Sequence, residues 1–153
     1  MPRDTPTIES ETVVPAAPEA VFDFLSDLRN HWQLTDRAIH VVQLDGDREG
    51  GVVRIRGPLG TGRTVRTHVT ATRSPRLIIG IAQLPGGTRA RVSWRLADRV
   101  RGTRVQLVAE VERATLFDRM LLAAGGHAYM QGVFHRTLTR LAERFATQPS
   151  RVP

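Results

Sequence analysis

The feature that most constrains this chain is a change of period. Between residues 38 and 114 apolar side chains recur at every second position, and from residue 116 to 146 they recur at helical spacing. The two-residue rhythm is clearest at 88–96. Thr88, Ala90, Val92, Trp94 and Leu96 point one way, and Arg89, Arg91, Ser93 and Arg95 point the other. Val105, Leu107, Ala109 and Val111 alternate with Arg104, Gln106 and Glu110 in the same manner. Such alternation describes antiparallel strands with one wet face and one buried face. Strands are expected at 7–14, 38–45, 51–57, 62–73, 76–84, 88–97 and 103–114. Turn chemistry separates most of them: Asp45-Gly46, Gly50-Gly51, Gly86-Gly87 and Arg101-Gly102.

The apolar strand faces must be covered, and the terminal helix is the only element able to cover them. On a 100° wheel Leu116, Ala123, Met130, Phe134, Thr137, Leu141 and Phe145 share one stripe, with His135, Arg136 and Glu143 opposite. Gly125-Gly126 interrupts this helix, as a kink or as its true start. A kink there would gate whatever lies beneath the helix, and alanine at both positions is expected to stiffen it. Ahead of the sheet, Pro18 suits a first helical turn and Glu19 suits its dipole. Val21, Phe22, Leu25 and Leu28 follow at helical spacing, and a second short helix or turn runs through Trp32. The chain therefore reads as one α+β domain over 1–153, with loose termini at 1–6 and 148–153. Its expected form is a curved antiparallel seven-stranded sheet wrapped around a long C-terminal helix, with two short helices after the first strand. One helix cannot fill a seven-stranded concavity, so a cavity is expected between them.

The stretch VVPAAPEAVFDFLSDLRNHW, residues 13–32, resembles the opening of START-like (SRPBCC) proteins of the polyketide cyclase/dehydrase and lipid-transport family. These begin with a strand, a proline-alanine turn, a helix of the Pro-Glu-Ala-Val-Phe-Asp type and a following tryptophan. GTRARVSWRLAD and GTRVQLVAEVE are similar to that family's closing hairpin, and the resemblance runs from Thr7 to Phe145. It implies the helix-grip fold and an apolar groove under the long helix. Members hold polyketides, lipids, quinones, steroids or hormones there; some cyclise or dehydrate polyketides, and others only carry or sense.

The residues expected to line the pocket are Trp32, Ile55, Thr67, Val69, Trp94, Met130, Phe134 and Thr137. They make an apolar wall with two hydroxyls, as small-molecule sites usually do. Acid–base chemistry would need a titratable group inside. His40, in phase with Val42 and Leu44, and His127, at the margin of the helix stripe, are the candidates. No Asp or Glu falls on the apolar strand faces, which counts against carboxylate catalysis. The leading expectation is a non-catalytic protein that binds a small hydrophobic or aromatic molecule, lipid or polyketide-like. The first alternative is a polyketide aromatase/cyclase-type enzyme using a pocket histidine, and the second is an arginine-rich interaction module for nucleic acid or an acidic partner.

Composition narrows the alternatives. There is no cysteine, which excludes disulfides, thiolate metal sites and cysteine nucleophiles. The five histidines lack ligand spacing, so neither a metal nor a cofactor is expected. No serine occupies a G-x-S-x-G elbow. Gly57 to Thr64 fits a phosphate-loop spacing except that Arg63 replaces the lysine, and a strand pattern rather than a helix follows. All 22 basic residues are arginine and the net charge is +7, but they are scattered from Arg3 to Arg151. Nucleic acid is therefore not an expected partner. MPRDTPTIES lacks a signal-peptide layout and no apolar run has the length of a membrane span, so a cytoplasmic protein is expected. Monomer and homodimer are both open.

Overall fold

A computed structural model describes residues 6–34, 39–46, 50–56 and 62–147, apart from the side chains of Leu28, Trp32, Gln33 and Thr147. Seven strands are present: β1 (Thr7–Val14), β2 (Ile39–Leu44), β3 (Gly50–Arg56), β4 (Gly62–Arg73), β5 (Leu77–Gln83), β6 (Arg89–Arg99) and β7 (Gly102–Arg113). They form one sheet in the order β1-β7-β6-β5-β4-β3-β2, and every pairing is antiparallel. Helices α1 (Pro18–Ser26) and α2 (Leu28–Leu34) follow β1. The chain ends in α3 (Leu116–Leu121), a single π-helical turn (Leu122–Gly126) and α4 (His127–Thr147). This is the helix-grip architecture. Of the expected loose ends only Pro6 is described, and its carbonyl accepts from the Val111 amide at 3.0 Å; residues 1–5 and 148–153 lie outside the described residues. No described helix is long and apolar enough to cross a membrane.

The local chemistry explains the junctions. Pro18 occupies the first turn of α1, and Val21, Phe22 and Leu25 are buried at the expected spacing. The proline-alanine turn before it is tethered from across the sheet. Thr103 on β7 is fully buried, and its hydroxyl donates to the Ala16 carbonyl at 2.7 Å. Val14, Phe22, Leu25, Trp94, Leu138 and Leu141 belong to one packed cluster, so the solid core lies between α1, α2 and the C-terminal half of α4.

The terminal helix departs from the sequence expectation. It is not one stripe from 116 to 146. Gly125 has φ +118°, a left-handed conformation that breaks the helical phase, and the His127 amide bonds five residues back to the Leu122 carbonyl. Leu116 is 75% exposed and Ala123 is exposed, so neither continues the stripe of Met130, Phe134 and Thr137. Gly126 is constrained as well: a Cβ there would lie 2.6 Å from the Leu121 carbonyl oxygen. Alanine at these two positions would therefore strain the bend rather than stiffen a straight helix. Ser93, expected on the wet face of β6, is buried opposite Val108. Its neighbours on that face, Arg91 and Arg95, are exposed, and the short side chain lies below them.

The first turn of α4 reaches across the curved sheet. His127 donates through Nε2 to the Thr7 carbonyl of β1 at 2.8 Å, and Tyr129 donates its hydroxyl to the Arg56 carbonyl of β3 at 2.6 Å. β1 is one edge of the sheet and β3 lies next to the other. The sheet is thus curled far enough for one helical turn to touch both.

Candidate functional site

Between the concave face of the sheet and the N-terminal half of α4 lies a cavity of about 490 Å³. That volume falls within the range of small-molecule sites, about 300–1,000 Å³. The period-two pattern builds its walls. Val53 and Ile55 come from β3, Val65, Thr67 and Val69 from β4, and Ala90, Val92 and Trp94 from β6. Met130, Val133, Phe134 and Thr137 form the roof, one helical turn apart in pairs. Of the residues expected to line a pocket, Ile55, Thr67, Val69, Trp94, Met130, Phe134 and Thr137 all border this cavity. The side chain of Trp32 lies outside the described residues.

The two hydroxyls differ. Thr137 spends its hydroxyl on the Val133 carbonyl at 2.8 Å, one turn back. The Thr67 hydroxyl is buried and has no hydrogen-bond partner among the described residues. Thr67 therefore offers a hydroxyl, able to donate or accept, in an otherwise apolar wall.

Neither expected histidine borders the cavity. His40 is exposed on β2, which faces solvent for most of its length. His127 is engaged with Thr7 outside the cavity, as described above. Two other histidines line it: His68 of β4, an exposed residue, and His31 of α2, whose ring centroid lies 5.2 Å from that of Trp94 at an interplanar angle of 59°. Its Nε2 is hydrogen-bonded to the Leu25 carbonyl. Removal from water pushes this imidazole down to about 4, against the opposing pull of the Leu25 carbonyl and the Asp27 charge. His31 is therefore neutral at physiological pH.

A carboxylate also reaches the cavity, from a helix rather than a strand. Asp118 of α3 is only 6% exposed and lines the cavity together with Arg63 and Thr88. The Arg63 guanidinium donates to its Oδ2 at 2.7 Å, and the Thr115 hydroxyl approaches the same oxygen at 3.1 Å. The Thr88 hydroxyl donates to it too, while accepting from the Thr115 amide at 3.0 Å. Thr115 caps α3 by accepting from the Asp118 amide at 3.2 Å. Arg63 also lies over the Phe117 ring, at 5.6 Å from its centroid. This cluster pins α3 over the end of the cavity where the β5–β6 turn lies, and Leu121 and Leu122 complete the wall. The outer side of α3 leaves Leu116, Phe117 and Met120 exposed.

Sequence reasoning missed Asp118 and His31. Thr115-x-x-Asp118 carries a capping-box spacing that could have marked the start of α3. Nothing local marks His31, whose surroundings arise only when α2 packs against β6. Of the glycine-rich loop, residues 57–61 lie outside the described residues. Gly62 begins a strand and Arg63 is committed to Asp118, so no helix N-terminus follows the loop.

Curved sheet, kinked helix and the apolar chamber between them together define the START-like class. The chain belongs to the family described as polyketide cyclase / dehydrase and lipid transport, whose model matches residues 5–146. Among solved structures it is similar to the KanY protein (ms6282), over 93% of this chain and 98% of that one, with a TM-score of 0.73 at 14% identity. It is similar to TTHA0849 from Thermus thermophilus over 95% of this chain and 100% of that one, with a TM-score of 0.65 at 22% identity. DynU16, a protein in the dynemicin biosynthetic locus, matches 93% of this chain with a TM-score of 0.62 at 17% identity. The chain covers 48% of DynU16, about half its length. At these identities the likeness is one of fold. No curated protein sequence matches the chain.

Proposed function

We propose that the protein binds a small hydrophobic or aromatic molecule, lipid or polyketide-like, in the chamber between sheet and α4, as a carrier or sensor of that molecule. The observation that carries this reading is the chamber itself, about 490 Å³ of mainly aliphatic and aromatic lining. Protein interiors are close-packed and hold few voids larger than a water molecule, so a void of this size serves an occupant. Ile55, Val69, Trp94, Met130 and Phe134 supply contact area, with Thr67 and Thr137 as the expected hydroxyls in the wall. The lipid-transport half of the family description fits this use.

A cyclase-type enzyme is the second reading, and the polyketide half of the same description fits it. It would need an acid–base group poised near neutrality inside the chamber. His40 and His127 lie outside the lining, His31 is held neutral down to about 4, and His68, the other lining histidine, is an exposed residue of β4, so the binding reading is preferred. The arginine-rich module ranks third. Arg104 pairs with Glu11, Arg89 with Glu112 at 3.5 Å and Arg95 with Glu110 at 3.9 Å, so carboxylates interrupt the basic surface. Native mass spectrometry of the purified protein, with titration of the apolar dye Nile red, tests the proposal. A co-purifying small molecule or saturable dye binding weakened by Met130→Ala and Phe134→Ala is expected. A parent protein that takes up neither ligand nor dye would overturn it.

A further inference from the structure

We propose that the ligand carries a hydroxyl donor (a phenol, enol or alcohol) and is bound with that O–H on Nδ1 of His31 and its apolar body against Trp94. This rests on the chamber reading above and narrows its chemical class.

The argument begins with the imidazole's own partner. Nε2 of His31 is hydrogen-bonded to the Leu25 carbonyl, which can only accept. The proton therefore resides on Nε2, and the neutral ring leaves Nδ1 as a bare lone pair. Burial keeps the second proton off Nδ1 at any pH above about 4. The one charged group that acts on the ring, Asp27, is too weak an influence to reverse this. The ring borders the chamber beside Trp94, and Nδ1 has no hydrogen-bond partner among the described residues.

Thr137 is bonded to Val133. The other acceptors of the lining sit nearer the β5–β6 turn than Trp94 does: the unpartnered Thr67 hydroxyl, level with Ala82 and Ala90, and Asp118, whose Oδ2 takes bonds from Arg63, Thr88 and Thr115. A lone pair in an apolar wall discriminates by sign. It attracts an O–H and repels the oxygens of an ether, a ketone or a carboxylate. Trp94 and the imidazole present two flat faces at the same point, which suits an aromatic or polycyclic hydroxyl compound better than a fatty-acid anion.

Naphthol and its methyl ether test this directly, because they share a skeleton and an oxygen and differ in the donor. Each is titrated against Nile red bound to the parent protein. Naphthol should displace the dye at about tenfold lower concentration than the ether, the effect of one desolvated hydrogen bond. His31→Phe keeps a ring on Trp94 and should bind the ether as the parent does while losing the preference for naphthol. If that variant fails to fold, nitrogen NMR of the parent decides. The His31 Nδ1 resonance should move on adding naphthol and stay in place on adding the ether. Equal affinities with an unmoved Nδ1 resonance would overturn the inference and leave the chamber reading intact. Failure of both compounds and of the dye to bind would overturn the chamber reading itself, and this inference with it.

Discussion

Acid should weaken this fold through His31. An ordinary imidazole titrates near 6.5, whereas this one titrates at about 4 because burial penalises its cation. Between those two values the unfolded chain takes up a proton that the folded chain refuses. The sign follows: the penalty is absent above 6.5, grows as the pH falls, and is complete below about 4. The span corresponds to about 3 kcal/mol for a group wholly removed from water. His31 keeps some solvent contact, so about 2 kcal/mol is the working figure. For a domain of this length that amounts to a fall in Tm of about 4–8 °C. The assay is a series of thermal melts from about pH 7.5 to pH 4.5, run on the parent and on His31→Gln, which cannot take up the proton. Carboxylates titrate in both proteins and cancel in the difference. The two curves should converge below the neutral range, the parent losing stability faster. Parallel curves across the whole window would refute the argument.

Phe134→Ala should cost about 1–2 kcal/mol, less than the roughly 3–5 kcal/mol of a fully packed phenylalanine, because one side of the ring already faces a void. Dye binding should weaken several-fold in the same variant; a full core penalty with unchanged dye binding would indicate a filled interior. Gly125→Ala should lower stability by about 1–2 kcal/mol, since alanine resists the positive φ, and adding Gly126→Ala should lower it further. A double variant with a higher Tm than the parent would contradict the bend. Asp118→Ala strips a partner from Arg63, Thr88 and Thr115 at once and should cost about 3 kcal/mol. Hydrogen exchange at Leu116–Leu121 should quicken, and unchanged protection there would mean that α3 is held by other contacts. ATP with magnesium should leave the melting temperature unmoved, because Arg63 is already paired with Asp118; a saturable rise lost in Arg63→Ala would reverse that conclusion.

The strands were legible because a two-sided sheet leaves its signature at every second residue. β1 and β4 match the expected limits, and the others lie within two residues of them. The same rhythm put Ile55, Thr67, Val69 and Trp94 on the concave face, and helical spacing after the bend put Met130, Phe134 and Thr137 over them. Their contact with a ligand is a matter for the binding experiments. Legibility failed where the backbone left its regular period. A wheel assumes a constant turn per residue, and Gly125 resets that phase, so Leu116 and Ala123 were assigned to a face they do not share. It failed again where a site depends on distant residues. Arg63 and Asp118 are far apart in the chain, and the environment of His31 is made by Trp94 on another element. Periodicity carries no information about such meetings.

The hydrogen bonds of His127 and Tyr129 have a mechanical consequence for the curved sheet. An open sheet can flex like an unstrung bow, its two limbs free to part. Here two side chains, two residues apart on one helix, act as the string, one tied to Thr7 and the other to Arg56. The reach of an imidazole and a phenol, together with the packing of α4 along β1, thus holds the two limbs over the space beneath. Both ties end on backbone carbonyls, so a change of side chain at either residue alters the string while leaving the alternation that makes the chain fold untouched.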